Sequence, residues 1–147
     1  MEKLKTLIVL FKAHTSVGNN VKLSLSDSVL TLNEFAVMEA LYTKGAMRTQ
    51  TLAESILIPN SSLTYVLDML VESSYVERIK DEDDKRCLLI NLTKKGKKTF
   101  EEIYAKHHQH MLKIFNALSD EEELELQRLL KKLGKKAEEV YAHETSN

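Results

Sequence analysis

Residues 49–73 read TQTLAESILIPNSSLTYVLDMLVES and residues 75–93 read YVERIKDEDDKRCLLINLT, and the fold turns on these two runs. In the first, Leu52, Ala53 and Ile56 recur at helical spacing until Pro59, whose ring bars the helix from continuing. Spacing of the same kind resumes with Leu63, Val66, Leu67 and Leu70, so two helices meet across a turn of a few residues, a helix-turn-helix. In the second run, residues 75–79 and 87–92 are β-prone and flank the charged segment 80–86, which predicts a hairpin with a charged tip and no other sheet. A helix-turn-helix followed by such a hairpin is a winged helix. The class is mainly α, with a two-stranded β-hairpin wing and long helices at both ends.

Working outward, Thr31 and Glu34 form a capping box before Phe35, Met38, Leu41 and Tyr42, and Gly45 stops that helix. Further toward the N-terminus, Leu4, Leu7, Ile8 and Phe11 mark an amphipathic helix that Gly18-Asn19-Asn20 weakens or ends, with 22–30 as a polar connector. On the other side, Thr93 caps a helix to about residue 118. Ser119 to Glu122 then open another, running to about residue 142. The domain reading is therefore a single unit, with a lobe at 31–98 and flanking helices at 1–20 and 99–143.

The 147 residues suffice for one ordinary core, and four Gly with one Pro argue against an all-β sandwich or barrel. The single cysteine, Cys87, forms no internal disulfide and fits a reducing cytoplasm. The apolar run at residues 7–11 is too short for a signal-peptide core or a membrane span, so no membrane role is expected. A net charge of −1 conceals an uneven distribution: residues 75–98 carry +3 beside an acidic segment at 31–74. That is the pattern of a localised contact face. No nucleophile with a base, phosphate loop or carboxylate pair marks an enzyme, and no cofactor is implied.

Taken together, Leu52-Ala53, Ser61 to Thr64, Leu70, Glu77-Arg78, and Asp84-Lys85-Arg86 followed by Leu92-Thr93 and Gly96 resemble the multiple-antibiotic-resistance regulator (MarR) family. The resemblance covers nearly the whole chain. It implies a DNA-binding transcription regulator, a homodimer held by the terminal helices, and a small-molecule effector bound between lobe and helices. The pattern at Ser62 to Val66 and Leu133-Gly134 is most similar to members that answer to quinones and phenolic electrophiles.

The residues themselves carry the same reading. Ser61, Ser62, Thr64 and Tyr65 at the start of the second helix are candidates to meet the major groove of double-stranded DNA; the same hydroxyls also fit a helix cap. Residues 59–74 contain no Lys or Arg, so the strong bidentate guanine contact is absent and shape readout gains weight. Arg86 matches the family arginine that enters the minor groove. Asp84 would hold it or a neighbouring cation, and a solvated surface pair is the alternative. Arg48, Lys80 and Lys85 are candidate phosphate contacts. Ser74 stands where the family usually has a turn glycine.

Leu4, Leu7, Ile8 and Phe11, with Met111, Leu112, Phe115, Leu126, Leu129, Leu130, Leu133 and Val140, exceed what a small winged helix buries and call for a second subunit. Two recognition helices about 34 Å apart would then read a near-palindrome. His107 and His110, three apart, are weak metal candidates; solvent-facing or core imidazoles are the competing reading. Cys87, in the wing strand and opposite in facing to Arg86, is a possible sensor thiol. Non-covalent binding in a pocket lined by the first, second and fifth helices is preferred to chemistry at that thiol. The alternatives are a zinc- or thiol-based sensor on the same fold and a winged-helix protein-interaction module.

Overall fold

The computed structural model describes residues 2–56 and 60–146, so Pro59 and the turn it was expected to make lie outside the described residues. Helices α1 (Glu2–Ser24), α2 (Leu32–Lys44), α3 (Thr49–Ser55), α4 (Asn60–Glu72), α5 (Lys94–Phe115) and α6 (Asp120–Thr145) accompany strands β1 (Met47–Arg48), β2 (Val76–Lys80) and β3 (Leu88–Leu92). The chain divides into two compact units, one ending at His110 and one beginning at Met111.

In the first unit the capping box at Thr31 is complete. Glu34 N–H donates to the Thr31 hydroxyl and Thr31 N–H to the Glu34 carboxylate, satisfying two donors that a helix start leaves unpaired. Gly45 ends α2 at φ 83°, a left-handed value that favours glycine. The apolar periods of α2, α3 and α4 converge, with Phe35, Met38, Leu41, Leu52, Leu63, Val66, Leu67 and Leu70 buried together with Val76, Ile90 and Phe100. Burying eleven such side chains, each worth about 1.5–3 kcal/mol, is what holds the lobe together.

Four local expectations are corrected. The sheet has three strands in the order β1-β3-β2, not two, because Met47 and Arg48 pair antiparallel with Ile90 and Leu89. The first helix runs through Gly18-Asn19-Asn20 to Ser24 and leaves no connector at residue 22. Asn20 caps nothing there: its amide nitrogen donates back to Ser16 O, and its amide oxygen meets His110. The hairpin is shorter at one end than expected. Cys87 lies in the turn, its N–H donating to Asp84 O, so strand alternation does not set its facing. Finally, α5 stops at Phe115 and α6 continues to Thr145, past residue 142.

Ser74 has φ 61°, the only positive φ of a non-glycine among the described residues, and makes the turn between α4 and β2. Its carbonyl accepts from the Thr93 hydroxyl at 2.6 Å, while Thr93 N–H donates to Tyr75 O. The same hydroxyl accepts from Gly96 N–H and so caps α5. The start of α5 is thereby fastened to the turn that follows α4.

The second unit contains α6, opened by a capping box between Ser119 and Glu122. Leu126, Leu129, Leu130 and Leu133 fall on one face at i, i+3, i+4, i+7 spacing, and all four are exposed in the single chain.

Candidate nucleic-acid interface

Burial of Leu63, Val66, Leu67 and Leu70 turns the opposite face of α4 to solvent. Thr64 and Tyr65 lie on it, Tyr65 being 68% exposed, and Ser62 is half-buried. Nothing is described of the Ser61 side chain, though its backbone belongs to α4. One turn on, Asp68 also faces out, and its Oδ1 accepts from Arg78 Nη2 of β2 at 2.8 Å. The exposed face of α4 thus carries a carboxylate, and the adjacent strand neutralises it.

The wing projects a second set of charges. Arg86 is 90% exposed at its side chain, with Nε 3.1 Å from Asp84 Oδ1 and Nη2 3.5 Å from Oδ2. Asp84 Oδ1 also accepts the Arg86 backbone N–H. These bonds from Arg86 hold the Asp84 carboxyl below the ordinary carboxylate range. So exposed a pair adds little to stability, and its consequence is the direction in which the guanidinium points. Lys80 and Lys85 are exposed.

Arg48, a candidate phosphate contact, is paired with a carboxylate. Its Nε and Nη2 both donate to Asp81 Oδ2, at 3.1 and 2.7 Å. The guanidinium depresses the Asp81 pKa, and the carboxylate raises that of Arg48. About half of the Arg48 side chain remains open to solvent. Asp81, Asp68 and Arg78 are the residues to which sequence reasoning assigned no role. Their pairings span 33 and 10 positions with no periodicity to signal them.

His107 and His110 hold α5 to α1. His107 Nδ1 lies 2.7 Å from Ser24 Oγ and its ring 5.0 Å from that of Phe35, while His110 Nε2 lies 2.9 Å from Asn20 Oδ1. Both histidines have organic partners, and among the described residues no three His, Cys, Asp or Glu are grouped to hold a metal ion. Cys87 Sγ lies 3.7 Å from Asp84 Oδ2. A cleft of about 460 Å³ is lined by Leu41 and Tyr42 of α2, Leu92 of β3, Thr93, and Lys94 and Lys97 of α5. It draws on the second and fifth helices but on the sheet in place of the first helix. Among the described residues no helix is long and apolar enough to cross a membrane.

The chain is similar to known proteins over most of its length. The MarR family model matches residues 30–88, from the residue before the α2 cap to the start of β3. The HTH-type transcriptional regulator MhqR of Bacillus subtilis (strain 168) is 30% identical over 140 residues, covering 95% of this chain and 97% of that protein. An uncharacterized HTH-type regulator of the same organism, YkoM, is 38% identical over 101 residues, covering 69% of this chain and 66% of its own length, a little under two thirds. Among solved structures, NadR in complex with 4-hydroxyphenylacetate superposes with a TM-score of 0.75 at 29% identity, covering 87% of this chain and 91% of NadR.

Proposed function

The chain belongs to the MarR family of winged helix-turn-helix transcription regulators, and from that premise we propose that it is a homodimeric repressor of a near-palindromic operator, released by a small phenolic or quinone-like ligand. In this reading residues 31–98 form the DNA-binding lobe, and residues 1–20 and 99–143 supply the dimerisation helices. The observation that carries it is the pairing of two exposed features on one lobe: the α4 face with Thr64 and Tyr65, and the wing arginine Arg86, held at its base by Asp84.

Each feature has a defined task. With Ser61 and Ser62, Thr64 and Tyr65 meet the major groove through hydroxyls and an aromatic edge, so discrimination rests on hydroxyl and water-mediated bonds and on DNA shape. Arg86 enters the adjacent minor groove, where narrow A·T-rich DNA concentrates negative potential. Lys80 and Lys85 bind phosphate, which makes affinity fall with salt. Two lobes related by a dyad place these sets about one helical turn apart.

Release follows from differential affinity: a ligand that prefers one spacing of the lobes shifts the population away from the DNA-competent spacing. A phenolic ligand is supported by the complex of NadR with 4-hydroxyphenylacetate. In this chain the α2/β3/α5 cleft, with the Tyr42 ring and the Lys94 and Lys97 ammonium groups, has the chemistry to take a small aromatic anion.

Selection of duplexes from a random-sequence pool tests the reading. Enrichment of an inverted repeat with half-sites about 10 base pairs apart is expected, and failure to enrich any sequence would sink it.

A further inference from the structure

Asp81 is the one polar or charged residue buried among the described residues, at 8% exposure. It stands where β2 ends and the wing tip begins, and it bonds in three directions. Its Oδ2 takes both donors of Arg48, its Oδ1 accepts Asp83 N–H at 3.0 Å, and its own N–H donates to Cys87 O at 3.0 Å. The remaining side-chain bonds of residues 81–87 stay inside the tip, from Arg86 and Cys87 to Asp84. Among the described residues, Arg48 to Asp81 is therefore the side-chain tie between the tip and the helix-turn-helix. Arg48 itself is fixed twice, since it is the N-cap residue of α3 and pairs in β1 with Leu89 of β3.

Resting on the DNA-binding reading above, we propose that Asp81 is a positioning residue for DNA recognition: clamped by Arg48, it sets the wing tip, and with it Arg86, at a fixed place relative to α3 and α4. The physical case is one of preorganisation. Arg86 is almost wholly exposed, and its anchor Asp84 belongs to the same loop, so without a tie to the lobe each binding event would have to order the whole tip. Two donors of one planar guanidinium converging on a single carboxylate oxygen supply direction as well as attraction. The clamp also pairs the half-exposed Arg48 guanidinium with a carboxylate, which offsets its charge toward a phosphate.

That second consequence lets opposite outcomes be distinguished. If Asp81 only masked Arg48, then Asp81→Ala would release a cation beside the DNA, raising affinity and steepening the salt dependence. If Asp81 positions the tip, the same substitution weakens binding by about 3- to 10-fold and lowers the salt slope toward that of Arg86→Ala, although no positive charge has been removed. Arg86→Ala should then cost less in the Asp81→Ala background than in the wild type, and Asp81→Asn should fall between.

The experiment uses the full chain and a duplex enriched from a random pool by the wild-type protein, with affinities measured across a salt series. Arg48→Ala is made in parallel, so that a misfolded Asp81→Ala does not leave the matter open; it should reproduce the loss and add nothing to it. Amide exchange in the DNA-free protein completes the design, with protection at residues 81–87 falling in both variants. A gain in affinity, strict additivity with Arg86→Ala, or unchanged exchange in the tip would each overturn the proposal. If the wild type enriches no duplex, the regulator reading fails instead, and the exchange result alone decides whether Asp81 holds the wing.

Discussion

Gly96, in the first turn of α5, lies so close to Tyr75 that a Cβ on it would stand 1.9 Å from the Tyr75 carbonyl oxygen and 2.8 Å from the carbonyl carbon. The contact is backbone against backbone, at the point where Thr93 also bonds to Ser74 and Tyr75, so neither side yields by rotating a side chain. Gly96→Ala should therefore push α5 off the turn that ends the recognition helix. The expected loss is about 1–3 kcal/mol, the usual scale of overpacking, read as a lower urea midpoint. A loss below about 0.5 kcal/mol, the range of ordinary surface changes, would mean that the α5 start slides without cost.

Arg86→Ala should leave folding and assembly intact, because its side chain is 90% exposed and bonded only within the tip. Affinity for an enriched duplex should fall roughly tenfold, and the salt slope by about one unit. Unchanged affinity and slope would return Arg86 to the status of a solvated charge.

The proposed dimerisation by the terminal helices predicts a sedimenting species of twice the chain mass at micromolar concentration. Leu129 and Leu133, both 48% exposed in the single chain, lie on the apolar face of α6, and Leu129→Glu with Leu133→Glu should yield monomers. A variant still dimeric would move the interface off this face.

The lobe was legible in the sequence because its signals are local. Helical spacing in α2 and α4, the Thr31 capping box and the charged hairpin tip each need only a short window, as does the Ser119 capping box beyond the lobe. What escaped depends on distant partners. β1 is two residues long, too short for any period, and exists because Leu89 and Ile90 pair with it. Gly18-Asn19-Asn20 breaks helices by propensity, yet Asn20 and Ser24 gain His110 and His107 across the packing with α5, and tertiary contact prevails. Asp81 was hidden in a run of acids, and only the fold distinguishes it from Asp83 by burying it against Arg48.

His107 predicts a pH dependence. Burial, with His108 and His110 nearby, holds its imidazole below the ordinary value of about 6.5. The neutral ring belongs to the folded state, so the unfolded chain takes up its proton first as pH falls. Stability from this group is thus complete above about 6.5 and declines as pH drops from there through the depressed folded value. The urea midpoint should decrease from pH 7.5 to 5.5, and His107→Gln should flatten that decrease. An equal slope in the variant would assign the effect to other groups.

The remaining choice is between reversible ligand binding and chemistry at Cys87. The thiol stands beside Arg86 in the wing tip, so an adduct there would displace the tip directly. Yet the group its sulfur faces is the Asp84 carboxylate at 3.7 Å, whereas reactive cysteines occupy electropositive surroundings. The neighbouring arginine does not meet that need, since Arg86 gives its Nε to Asp84 as well. The cleft between α2, β3 and α5 offers a reversible site elsewhere on the lobe, with Lys94 and Lys97 to meet an anion and the Tyr42 ring to stack on an aromatic. We therefore expect p-benzoquinone to release Cys87→Ser from an enriched duplex as it releases the wild type, and 4-hydroxyphenylacetate, which cannot alkylate a thiol, to release both. Loss of quinone release in Cys87→Ser at unchanged DNA affinity would reverse the assignment and make the wing thiol the sensor.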